Sequence, residues 1–302
     1  MNSKIHFDFV KHRNKFFAFS ILITLAGIIT LFAASMHFGV DFKAGTTIDA
    51  TLGKSTDKQA VEKLVTDDGF TGFLVTMGGN NDRVSVRFDE ILNDADVKKI
   101  QTALTSAYGD KVSTEVNTVS ADMAKEMGVK AIYAVLIAAV AICIYVTIRF
   151  EWRFAVAAII AILYDAFFVV AMFAIFRFEV DLPFLAAVLT TIGYSINDKI
   201  VIFDRVRENM RFAKLRTDQD LADLINHSIW QTMARNVYTV LTVLIAAVCL
   251  MIFGSESIKL FALAKVFGLT SGAYSSVCIA TSLWYLMRRN KLGAVKKVAA
   301  AK

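Results

Sequence analysis

Asp165, Asp198 and Arg235 lie inside or beside stretches otherwise composed for lipid, and the amide Asn197 directly precedes Asp198 in TIGYSINDKIVIFDRVREN, residues 191–209. An ionised carboxylate at the centre of a membrane helix costs on the order of 3 kcal/mol on insertion scales, so its presence calls for a purpose. At helical spacing Thr191, Tyr194, Asp198 and Arg205 share one stripe, which predicts a polar face turned into a helix bundle. Polar groups aligned in this way can form a proton or ion path. Asp198 admits two readings, a carboxyl locked in a static interhelical hydrogen bond or a proton carrier. Arg235 supplies a partner for the second, because a nearby guanidinium favours the charged acid and burial favours the neutral one. Movement between those environments would load and release a proton. Asp204 and Arg205 fall at the expected interface, where Asp204 reads most simply as a solvated cap.

The elements that must hold these groups are membrane helices. Apolar residues make up 56% of the 302 positions and the mean hydropathy is +0.53, which excludes a soluble enzyme of ordinary type. Windows of roughly 20 apolar residues, the length that crosses a bilayer, fall at 16–38, 130–148, 154–176, 182–203, 237–253 and 260–287. Asp165 lies near the middle of the third, and Arg235 is expected at the start of the fifth helix. Basic residues cluster before the first window, between the second and third, after the fourth (Arg205, Arg207, Arg211, Lys214, Arg216) and in the tail from Arg288 to Lys302. Six spans put all four clusters on one side, so both termini are expected in the cytoplasm. The net charge of +6 is thereby accounted for by topology, with no nucleic-acid partner. A cleaved signal peptide is the rival reading of the first window, but its apolar run exceeds the ~7 to 15 residues of such a segment. Cys143, Cys249 and Cys278 sit singly in apolar runs, without metal or disulfide spacing.

The polar stretch 39–127 reads as a small folded head. Ile48, Ala50 and Leu52 alternate with Thr47, Asp49 and Thr51 as in a half-buried strand. Thr56 and Gln59 form a capping-box pattern ahead of a helix carrying Val61, Leu64 and Val65. Strands are predicted at 70–77 and 83–88 about the turn GGNND, a second helix from Asn93 to Gly109, and a last strand at 112–119. The order βαββαβ is that of a ferredoxin-like split unit. The head contains no histidine or cysteine, so metal or nucleophile chemistry is not expected in it. The chain divides into residues 1–38, the head 39–127, the helices 128–287 and a basic tail 288–302.

Residues 191–209 resemble the fourth transmembrane helix of the SecF family, whose pattern there is close to GYSINDxxVxxDRxREN. Three further resemblances follow in order: GVDFKAGT at 39–46, an acid at Asp165, and GLTSGAYSSVCIA at 268–280. The resemblance implies an α-helical inner-membrane protein of six transmembrane helices with a periplasmic α+β head between the first two. Its implied role is in proton-motive-force-driven protein export, with a SecD-like subunit, the SecYEG translocon, preproteins and lipid as partners. Arg235 corresponds by order to the arginine that follows the family's basic loop, so Asp198, Arg235 and Asp165 are the expected proton-transfer residues. Tyr194, Asn197, Asp204 and Arg205 are expected to support them. The architecture also resembles the resistance-nodulation-division transporters. Two positions depart from the family pattern, Ala44 for a second glycine and Lys199 directly after Asp198. Lys199 lies ~100° round the helix from Asp198, which lets it either pair elsewhere or depress that acid's pKa.

Gly268, Gly272, Ser276 and Ala280 recur every fourth residue in the last window, a ridge suited to close helix packing. Lys265 nearby is expected to snorkel to the surface. No nucleotide motif such as GxxxxGK[ST] occurs; no cofactor or metal is expected, and the proton gradient is the expected energy source. Two alternatives remain. A half-sized small-molecule exporter would need an apolar drug-sized pocket. An intramembrane aspartyl protease would pair Asp165 with Asp198, but Ser195, Ile196 and Asn197 stand where a GxGD element belongs, so an enzyme is not expected.

Overall fold

The computed structural model describes residues 7–78, 81–109, 112–213, 215–254 and 256–289. Lys4, Lys214, part of the GGNND turn and the tail beyond Arg289 lie outside the described residues. Six helices are long and apolar enough to cross a membrane. They are α1 (Arg13–Ala34), α4 (Ala121–Arg149), α5 (Trp152–Phe176), α6 (Leu182–Phe212), α7 (Asp218–Phe253) and α8 (Glu256–Tyr274). The last runs on through a π-helical segment, Ser275–Ala280, to Arg289.

The inner helices are written with small residues. Ala157, Ala158 and Ala161 of α5 are fully shielded, and a Cβ on Gly27 of α1 would fall 2.4 Å from Ala171 of α5. Small residues let backbones approach where lipid supplies no hydrophobic drive. Phe154 stacks on Trp284 at 4.6 Å and packs against Phe203 at 4.9 Å, joining α5, α6 and the last helical turns. Leu22 and Phe32 of α1, Ile137 and Ile148 of α4 and Ile245 of α7 are exposed, as expected of faces turned to lipid or to neighbouring helices.

The head comprises β2 (Gly45–Thr51), α2 (Lys58–Asp67), β3 (Phe73–Gly78), β4 (Arg83–Phe88), α3 (Asp94–Tyr108) and β5 (Ser113–Val119). Its antiparallel sheet has the order β3-β4-β2-β5, a split βαβ arrangement. Ile48, Val86 and Phe88 bury against Val61, Val65, Ile100 and Leu104 of the two helices. Asn93 caps α3 by accepting from Asp96 N at 2.8 Å. Thr56 does not cap α2: Asp57 takes the N-cap position without a side-chain bond, and the Thr56 hydroxyl turns back to the Lys54 carbonyl. The helix starts one residue later than the sequence pattern predicts.

Two short strands tie the head's base to the membrane helices. β1 (His37–Phe38), after α1, pairs in parallel with β6 (Glu179–Val180), before α6. Asp41, in the 3-10 turn Val40–Phe42, accepts from Leu182 N at 3.0 Å and so caps α6.

Candidate functional site

The polar centre of the bundle is built by α5, α6 and α8. Asp165 projects from the middle of α5, and Lys199 of α6 meets it at 2.8 Å with neither side chain reaching solvent. Hydroxyls complete the shell. Ser195 and Ser275 donate to Asp165 Oδ2 at 2.5 and 2.6 Å, and Ser271 donates to Oδ1 at 2.6 Å. The Lys199 ammonium in turn donates to Ser195 Oγ at 2.5 Å and Ser275 Oγ at 2.9 Å, with Ser276 Oγ at 3.4 Å. Lysine's three protons thus face four side-chain acceptors, Asp165, Ser195, Ser275 and Ser276, and each carboxylate oxygen accepts at least once. Burying two ions costs several kcal/mol each, and only such full pairing offsets it.

Local sequence explains how these groups arrive together. Ser195 lies one helical turn before Lys199, on the same face. Ser271 and Ser275 are likewise one turn apart. Ser275 and Ser276, adjacent in sequence, both come within reach of the ammonium where the helix widens into its π segment. Such widenings recur at functional sites. The glycines set the spacing. A Cβ on Gly268 would stand 2.2 Å from Thr191 Oγ1, and one on Gly272 would stand 3.4 Å from Ser195 Cβ, so α8 lies directly on α6 at the level of the cage. Ser276 also donates to the Gly272 carbonyl at 2.6 Å.

The expected residues are placed as follows. Asp165 is the cage's carboxylate. Asp198 is 6% exposed, next to the cage but outside it. It makes no hydrogen bond or ion pair among the described residues, while the charges of Lys199, Arg235 and Asp165 act on it through space. Arg235 is exposed and forms no ion pair with Asp198 among the described residues. It does not open the fifth membrane helix but lies near the middle of α7, whose 36 residues begin at Asp218 under a Thr217–Asp220 capping box. The hydropathy window missed that first half because its core pattern, Leu221, Leu224, Ile225, Ser228 and Ile229, is amphipathic.

The expected stripe on α6 is divided. Thr191 and Asp198 face inward, but Tyr194 is 41% exposed and Asn197 is exposed. The buried face, Thr191, Ser195, Lys199, Ile202 and Val206, is rotated toward α8. Arg205 pairs with Glu208 at 3.0 Å. Asp204 bonds Arg149 of α4 at 3.1 Å and Arg207 at 3.0 Å, so it links two helices as well as meeting solvent. Lys265 does not snorkel: it is 7% exposed, donates to Thr190 Oγ1 at 3.0 Å and lies 4.5 Å over the Tyr194 ring. Lys199, Ser195, Ser271 and Ser275 were not among the expected site residues. Their signal was the one-turn spacing of each pair, Ser195 with Lys199 and Ser271 with Ser275.

Residues 99–290 match the family described as protein export membrane protein SecD/SecF, C-terminal. The chain is 43% identical over 293 residues to protein translocase subunit SecF of Alicyclobacillus acidocaldarius, covering 96% of this chain and 95% of that protein. The chain belongs to the SecF family. It is also 43% identical over 286 residues to protein translocase subunit SecDF of Bacillus subtilis, covering 94% of this chain and 38% of the relative. The crystal structure of SecDF from a Thermus species, a translocon-associated membrane protein, superposes with a TM-score of 0.82 at 29% identity over 95% of this chain and 40% of that one. The chain therefore spans about two fifths of its SecDF relatives and nearly the whole of its SecF relatives. With six candidate spans, it is a multi-pass membrane protein. Family membership leaves the aspartyl-protease alternative without support, and the relatives that match along its length are translocase subunits, not enzymes.

Proposed function

We propose that this chain is the SecF-type subunit of an assembly that uses the proton-motive force to assist protein translocation across the bacterial inner membrane. The observation that carries the reading is the Asp165–Lys199 cage, a fully buried charge pair at the centre of a bundle on a chain that matches SecF along its length. Ionisable groups held at membrane depth are costly and mark ion or proton paths. Asp198, beside the cage and open to the fields of Lys199 and Arg235, is the group proposed to exchange the proton. Arg235 tunes it, and Tyr194, Asn197, Asp204 and Arg205 flank it.

Both termini are proposed to lie in the cytoplasm and the head, residues 39–127, in the periplasm. The SecDF relative is more than twice the length matched here, so a SecD-like subunit is the proposed partner. The SecYEG translocon, emerging preproteins and lipid are proposed as further contacts. Vesicles holding the chain with a SecD-like partner test the reading: translocation should slow when the gradient is collapsed, and gradient-independent translocation would refute it.

The small-molecule exporter finds less support. The recess between α4, α5 and α6, lined by Val135, Ile142, Ile162 and Ile192, is apolar but only about 60 Å³. A recess of about 370 Å³ on the open face of the head's sheet is lined by Asp49, Arg83, Ser85 and Glu115, and shallow recesses of about 470 and 540 Å³ are edged by Lys63, Asp67 and Asp68 and by Asp122, Lys125, Glu126 and Lys130. None is the enclosed apolar pocket that drug-sized ligands need.

A further inference from the structure

Arg87 reaches from β4 of the head to the mouth of the membrane domain. Its Nη1 donates to Glu179 Oε2 at 2.6 Å and its Nη2 to the Phe38 carbonyl at 3.1 Å. One guanidinium thus bridges β6 and β1, which are themselves paired with His37 opposite Glu179. The Arg87 side chain is 10% exposed and that of Glu179 24%, so the contact is shielded and charge-assisted, unlike a loose surface pair. Arg87 Nε is buried without a hydrogen bond; the group is held by its two terminal nitrogens.

The surroundings leave Arg87 as a central counter-charge. Asp181 lies just beyond β6, packed so closely on Gly39 that a Cβ there would overlap its carboxylate, and Asp41 caps α6 beside it. Three carboxylates, Glu179, Asp181 and Asp41, therefore converge on one end of α6. Arg87 faces this cluster, and His37, when protonated, lies 3.7 Å from Glu179.

The head is joined covalently to α1 through the Val40–Phe42 turn and to α4 at Ser120. Neither helix carries a residue of the polar cage, which belongs to α5, α6 and α8. β3 also lies against α8, but the Arg87 contact grips the strand that runs directly into α6, the helix of Ser195, Asp198 and Lys199. We propose that Arg87 is a positioning residue that sets the orientation of the head relative to α6. On the proton-coupled reading above, it is also the route by which a shift of α6 reaches the head. A rigid helix capped at its outer end by Asp41 and clamped there by Arg87 transmits displacement as a unit.

The test uses the full chain in vesicles with its SecD-like partner, with Cys143, Cys249 and Cys278 replaced by alanine and spin labels at Lys63 of α2 and Tyr238 of α7. The parent should give a narrow distance distribution, Arg87→Gln a broad or displaced one, and the charge swap Arg87→Glu with Glu179→Arg a narrow one again. Restoration by the swap separates positioning from mere loss of fold. An Arg87→Gln distribution as narrow and as placed as the parent's overturns the proposal, as does a swap no better than Arg87→Glu alone. Imposing a proton gradient then tests the functional reading separately. If the parent's distance does not respond, proton coupling fails while the clamp stands or falls on the first comparison.

Discussion

Lys199 Nζ lies 2.8 Å from Asp165 Oδ2, and both side chains are wholly shielded from solvent. The two charges cancel inside the bundle, and the hydroxyls of Ser195, Ser271 and Ser275 take up the remaining hydrogen-bonding capacity. This arrangement tolerates loss of both charges better than loss of one.

Asp165→Asn or Lys199→Met alone should therefore destabilise the protein by about 3–5 kcal/mol, since each leaves an uncompensated buried charge. Asp165→Leu combined with Lys199→Met should cost clearly less. Thermal unfolding of the detergent-purified variants reads the difference; a double variant as unstable as the sum of the singles would contradict the pairing.

Asp198 makes no hydrogen bond or ion pair among the described residues, so Asp198→Asn should leave the melting temperature close to the parent's. On the proposed function it should abolish gradient-dependent translocation. Arg235→Lys should impair translocation less than Arg235→Ala, because the influence of Arg235 on Asp198 acts through space and needs charge more than a planar fork. Translocation in vesicles with and without an uncoupler decides both, and full gradient dependence in Asp198→Asn would remove it from the proton path.

Gly268→Ala should disturb the α6–α8 contact far more than Gly272→Ala. The new methyl at 268 would meet Thr191 at 2.2 Å, whereas that at 272 would make an ordinary contact with Ser195 at 3.4 Å. Overpacking of this kind costs about 1–3 kcal/mol. Thr191→Ala, which removes the two nearest atoms, should recover part of the loss in a melting experiment; absence of any recovery would place the clash elsewhere.

Burial pushes the Asp181 carboxyl up to about 6, with Asp41 and Glu179 raising it further and Arg87 opposing them. A raised value means that the folded protein binds this proton more tightly than the unfolded chain. The contribution is fully present below about pH 4 and is lost as pH rises through 6, a change of at most roughly 3 kcal/mol. Asp181→Asn should flatten that part of the stability profile and leave the protein more stable than the parent at pH 8. Melting curves from pH 4 to 8 test this, and an unchanged slope in the variant would assign the titration to another group.

The six spans, the βαββαβ order of the head and the unusual acids of the third and fourth spans were legible in the sequence, because hydropathy and residue period are local properties. Which acid meets which cation was not. Periodicity fixes the angle between Asp198 and Lys199 on α6, but the rotation of that helix is set by its neighbours, where Gly268 and Gly272 admit Thr191 and Ser195. That rotation turns Lys199 inward to Asp165 and leaves Tyr194 and Asn197 outside. Arg235 was misplaced because hydropathy marks where a helix suits lipid, not where its backbone begins: the capping box at Thr217 starts α7 well before its apolar half. The β1–β6 pair joins segments more than a hundred residues apart through two-residue strands, too short for any sequence period to mark, and the Arg87 bridge reaches from the head to both of them. Only tertiary structure brings those charges to one end of α6.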